Sequence, residues 1–75
     1  MKRTHVKSSN IRAVGYDKLA KVLEIEFNHG GIYFYKDVPE NAAKALVAAS
    51  SVGKFFRANI LNGFDFKKGE YHEED

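Results

Sequence analysis

The sequence predicts an α+β domain: a three-stranded antiparallel β-meander covered on one face by two C-terminal helices, in the order β-β-β-α-α. Three observations carry this. Apolar and polar residues alternate from Leu23 to Phe27 and again from Ile32 to Lys36, the period-two signature of half-buried strands. Between them, Asn28-His29-Gly30-Gly31 supplies residues that tolerate positive φ, as a tight hairpin requires. After Pro39 the period changes, and Ala42, Ala43, Leu46, Val47 and Ala49 form a helical apolar stripe.

The first strand is short, residues 11–16, and is weakened by Gly15. Asp17-Lys18 opens a turn that Leu19-Ala20-Lys21 carries into the second strand. In the hairpin, His29-Gly30 reads as a two-residue loop, setting Asn28 opposite Gly31, Phe27 opposite Ile32 and Ile25 opposite Phe34. Leu23, Ile25, Phe27, Ile32 and Phe34 then share the core face, while Val22, Glu24, Glu26, Tyr33 and Tyr35 share the other. Loop parity decides this, because a three-residue loop shifts the register by one and buries both tyrosines. The third strand ends near Asp37. Pro39 suits the start of a helix and Glu40 the positive end of its dipole, so the first helix takes residues 40–50. Ser51 is a natural N-cap for a second helix over residues 52–61, with Val52, Phe55, Phe56 and Ile60 on one side. Asn62-Gly63 stops it. Phe64-Asp65-Phe66 packs back on the core or adds a short edge strand.

Seventy-five residues make one domain, expected to be ordered over about 8–66. Residues 1–69 carry a net charge of +6 and residues 70–75 one of −4, a basic N-terminal arm over 1–7 and an acidic tail over 67–75 framing the body. Such asymmetry is compatible with an anionic partner, and is also ordinary solubility charge. With no cysteine there is no disulfide or thiolate metal site. No apolar run is long enough to span a bilayer, and the basic N-terminus is followed by no apolar signal region, so a cytoplasmic protein with no membrane partner is expected.

The motifs are also familiar. Ser9, Val14-Gly15-Tyr16-Asp17, Leu23-x-Ile25-x-Phe27-x-x-Gly30, Tyr33-Phe34-Tyr35, Val38-Pro39, Ala49-x-Ser51-x-Gly53-x-Phe55-Phe56 and Ile60 follow one another in an order and spacing that resembles the KTSC domain. That is a short module found at the C-terminus of some lysyl-tRNA synthetases and as free-standing bacterial proteins. The resemblance covers residues 8–64 and implies the stand-alone form. The Y-x-Y doublet is the family's hallmark. One position departs: Arg57 stands where family members tend to carry Asn. Placement on a tRNA enzyme implies RNA, of a tRNA-like kind, as the partner, by analogy alone.

Two candidate binding sites follow from the residues. Tyr33 and Tyr35 on one strand face would project about 6.5–7 Å apart and could stack successive bases, each worth about 1–3 kcal/mol. The plainer reading makes both rings structural cover. Ser51, Gly53 and Lys54 at a helix start, with Arg57 one turn on and Lys44 on the neighbouring helix, would suit a phosphate. This is not a Walker A loop, since its first glycine is missing, and a plain N-cap with a solvent lysine is the simpler account. Lys67 and Lys68 would extend the same patch. His5, His29 and His72 have no metal-ligand spacing, and no serine has a partnered base, so no catalysis, cofactor or metal is expected. The leading expectation is an RNA-binding module; the alternative is a protein-interaction or self-association module using the tyrosine face or a sheet edge.

Overall fold

The structure, a computed structural model, describes residues 3–69. Five antiparallel strands form one sheet in sequence order: β1 (Arg3–His5), β2 (Ile11–Asp17), β3 (Val22–Phe27), β4 (Ile32–Tyr35) and β5 (Phe66–Gly69). Between β4 and β5 the chain makes α1 (Glu40–Ala48) and then α2 (Val52–Phe55), which runs on as a π-helical turn (Phe56–Ile60). The class is the expected one, an antiparallel sheet with two helices, but the sheet has five strands and not three. The two extra strands come from the supposed arm and tail. Arg3–His5 pairs with β2 through Arg3↔Gly15 and His5↔Ala13, and Phe66–Gly69 pairs with β4 through Phe66↔Tyr35 and Gly69↔Ile32. The acidic residues 70–75 lie outside the described residues.

The β2–β3 connection is built on Asp17, whose Oδ1 accepts from the Leu19 and Ala20 N–H groups, both at 3.1 Å. This is the local side-chain bond that makes Asp a turn former. In β2 the pairing slips between Ile11 and Ala13, leaving Arg12 as the extra residue. That bulge puts Ile11 on the same face as Val14, although a three-residue step along a regular strand would place them on opposite faces.

The hairpin overturns the expected register. Gly30 N–H donates to the Phe27 carbonyl at 2.9 Å, and Phe27 N–H donates to the Gly31 carbonyl at 2.9 Å. The loop is therefore the three residues 28–30, with Gly30 at φ +103°, a turn followed by a bulge. The pairs are Leu23↔Tyr35, Glu24↔Phe34, Ile25↔Tyr33 and Glu26↔Ile32. Leu23, Ile25, Phe27, Tyr33 and Tyr35 consequently share the helix-covered face, and Phe34, Ile32, Glu24 and Glu26 share the other.

Both faces are closed. On the helix side Leu23, Ile25, Val38, Leu46 and Ile60 are fully buried, with Tyr35 among them. On the far side Ile32 and Ala13 are buried without any helix above them. There the Phe34 ring lies across Gly69, where any Cβ would run into it. The buried Glu24 carboxylate takes the Arg3 guanidinium through Nε at 2.9 Å and through Nη2. Arg3 Nη1 also reaches Glu26 at 3.3 Å, and Arg12 stands 3.6 Å from the other Glu26 oxygen. Charge-assisted bonds of this kind make a buried carboxylate tolerable.

Candidate nucleic-acid interface

A cleft of about 630 Å³ opens between the hairpin end, β5 and the π-helical turn. Such a volume lies within the range of small-ligand sites. Its walls are aromatic: Phe27, His29, Tyr33, Tyr35, Phe56 and Phe66 all line it. Phe27 is the hub, with Tyr33 edge-on at 5.4 Å and 90° and Phe56 at 5.7 Å and 74°. The His29 ring stacks on it at 5.6 Å, nearly parallel. Phe66 leans against Tyr33 and Tyr35 at 5.3 and 5.4 Å.

Each wall is held by local chemistry. His29 Nδ1 accepts the Gly31 N–H at 3.2 Å, which places the remaining imidazole proton on Nε2. A Cβ at Gly31 would sit 2.6 Å from His29 Cε1, so a side chain there would displace the imidazole from this position. Asn28 Nδ2 donates to the Ser8 and Ser9 carbonyls at 3.2 and 2.9 Å, tying the segment before β2 to the hairpin loop. In the π turn Leu61 N–H donates to the Phe56 carbonyl at 2.9 Å, five residues back, and Asn59 Nδ2 donates to the Phe55 carbonyl at 3.2 Å. This widened turn keeps Phe56 and Ile60 buried while Arg57 and Leu61 reach the cleft. Single π turns recur at functional sites.

Of the residues predicted from sequence, four meet here: Tyr33, Tyr35, Gly53 and Arg57. They meet in a different arrangement. Tyr35 is 1% exposed and Tyr33 half-buried, so the two rings are not an open stacking platform. Glu24 and Glu26 do not flank them either, being on the opposite face. Ser51 is a structural cap, its Oγ accepting the Lys54 N–H at 3.4 Å. The helix it starts is a single α turn, too short to act as a phosphate site. Gly53 lines the cleft beside Ser8 and Arg57, and a Cβ there would make only ordinary contact with Ser8 Oγ, at 3.4 Å. The predicted cationic patch does not converge. Lys44 pairs with Glu40 at 3.8 Å beside β2, Lys54 is exposed outside the cleft, and Lys67 and Lys68 alternate to opposite faces of β5. Lys68 alone shares the Tyr33 face. Phe27, His29, Phe56 and Phe66 complete the cleft, and no local motif in the sequence joins residues so far apart along the chain.

Among the described residues no carboxylate lines the cleft and none pairs with Arg57. No group of His, Asp and Glu among them could hold a metal. No helix is long and apolar enough to cross a membrane. What the arrangement offers is a largely aromatic slot, with Ser9, Asn10 and Asn28 also in its lining and with Arg57 unpaired among the described residues.

Comparison with known proteins gives a consistent picture. The profile of the KTSC domain matches residues 7–64. An uncharacterised protein of Stutzerimonas stutzeri is 43% identical over 56 residues, covering 75% of this chain and 79% of the relative. A protein of Tsukamurella paurometabola is 42% identical over 59 residues, covering 79% and 88%. The crystal structure of a KTSC domain protein from Yersinia pestis superposes with a TM-score of 0.86 at 40% identity, covering 89% of this chain and 94% of that one.

Proposed function

The chain belongs to the KTSC domain family, and we propose that it is a non-catalytic cytoplasmic module that binds single-stranded RNA in the aromatic cleft. One observation carries this reading: six aromatic rings and Arg57 converge on a slot with no carboxylate among its described lining residues. Unstacked bases bind on aromatic rings and guanidinium planes, and a site free of negative charge does not repel the phosphates that accompany them. Residues 3–69 reinforce it with eleven Lys and Arg against six Asp and Glu.

Fluorescence anisotropy with bulk tRNA and a labelled uridine decamer, each at two salt concentrations, tests the proposal. Affinity is expected to fall with salt by about 0.7 log units per decade for each phosphate contacted. Arg57→Glu should weaken binding at least severalfold, and Lys44→Glu, on the far side of α1, should change it little. Equal loss in both variants would reduce the interaction to unspecific charge.

Association with another polypeptide is the second reading, favoured by one feature: Phe66 is 50% exposed on β5, which has no outer neighbour among the described strands. Binding of that kind would change little with salt and would appear as concentration-dependent mass in light scattering.

A further inference from the structure

Two tyrosines of this chain are held in contrasting ways. The Tyr16 hydroxyl donates to the Val38 carbonyl, as a half-buried phenol is expected to do. Tyr35 is 1% exposed, yet its hydroxyl makes no hydrogen bond with any described residue. Nor is that hydroxyl sealed away, because no buried side-chain polar atom among the described residues lacks a partner. The little surface Tyr35 retains is therefore at its oxygen, and Tyr35 lines the aromatic cleft. A polar group without an internal partner, in the lining of a mostly aromatic slot, is completed by something that enters.

The occupant is constrained at both ends. Its leading edge must exchange a hydrogen bond with a neutral phenol, which can both donate and accept. Its body must be flat, to lie among Phe27, Tyr33 and Phe66. Its trailing end must carry negative charge, to meet Arg57 at the rim. An aliphatic chain fails the second requirement, and a phenylalanine side chain satisfies it but leaves the hydroxyl unpaired. A nucleotide satisfies all three.

Resting on the RNA-binding reading above, we infer that the cleft takes one unpaired nucleobase edge-first against the Tyr35 hydroxyl, with a phosphate of the same nucleotide at Arg57. Each domain then reads a single base. Flanking nucleotides add charge and no selectivity.

The test uses the full chain and labelled decamers of uridine, adenosine and cytidine, together with an abasic decamer of equal charge. The wild type should prefer one of the three and should bind the abasic strand about tenfold more weakly, the scale of one base contact. Tyr35→Phe, which keeps the ring and removes one oxygen, should lower affinity about tenfold and level the preference, with an unchanged thermal midpoint. Competition by the free monophosphate of the preferred base shows whether a single nucleotide unit suffices. A Tyr35→Phe variant that binds and discriminates like wild type overturns the edge contact while leaving RNA binding standing, as does equal binding of the abasic strand. If the wild type binds none of the strands, both this inference and the reading beneath it fail. Capture of an aromatic peptide by the same cleft in that event would point to the polypeptide reading.

Discussion

Tyr35 serves two demands, and they separate at the level of its atoms. The ring is core: it packs against Phe56 at 5.6 Å and 81° and against Phe66, and its neighbours Leu23 and Ile25 are fully buried. Removing it leaves a hole that the surrounding rings cannot fill without moving. Tyr35→Ala should therefore cost about 3–5 kcal/mol in urea unfolding, whereas Tyr33→Ala, with its ring half-buried, should cost clearly less. Equal costs would mean that the cleft collapses around either gap. The oxygen is a different matter, because it contributes no internal bond and can be removed without penalty to folding. On the far face the pattern is reversed: the Glu24 carboxylate is buried and held by Arg3 through Oε2.

At the scale of elements, the hairpin shows what can and cannot be read from a local stretch. That Asn28-His29-Gly30-Gly31 turns the chain is legible from residue chemistry, but its parity is not. The same four residues satisfy a two-residue or a three-residue loop, and either register gives a plausible apolar face, with Ile32 and Phe34 or with Tyr33 and Tyr35. Distant partners decide it. Phe56 and Phe66 supply ring contacts for Tyr35, while Gly69 and Arg3 leave room and charge suited to Phe34, Ile32 and Glu24 on the opposite side. The edge strands were hidden for another reason. Arg3-Thr4-His5 and Phe66-Lys67-Lys68-Gly69 are short and polar because they are edges, where charge discourages pairing with other chains. Composition alone made them look like an arm and a tail. The three-residue loop has a consequence at Gly30, whose φ of +103° penalises any side chain although nothing lies within 4 Å of the missing Cβ. Gly30→Ala should destabilise the fold by about 1 kcal/mol or more through backbone strain alone, measurable as a lower urea midpoint with an unchanged slope. A neutral substitution would mean that the loop has a second conformation.

The whole molecule covers one face of its sheet with two short helices and leaves the other to the strands' own side chains, and it gives most of its aromatic side chains to the helix face. Few small domains bury enough surface to be insensitive to a single group, so protonation of one phenol should register in global stability. Burial, with a smaller contribution from the Tyr33 phenol, raises Tyr35 above its ordinary value of 10.0. The folded state then holds this proton more tightly than the unfolded chain does. The associated stability is fully present below pH 10.0 and is lost as pH rises through the folded value. Urea midpoints should accordingly hold level through neutral pH and decline above about pH 10. The informative comparison is with Tyr35→Phe, which keeps every other titratable group and loses only this phenol. Its decline should be the shallower of the two. Parallel declines would mean that the Tyr35 oxygen is as well hydrated in the fold as in the open chain. A hydroxyl that wet would not need a base edge to complete it, so the alkaline limb of a stability curve also bears on what the cleft is for.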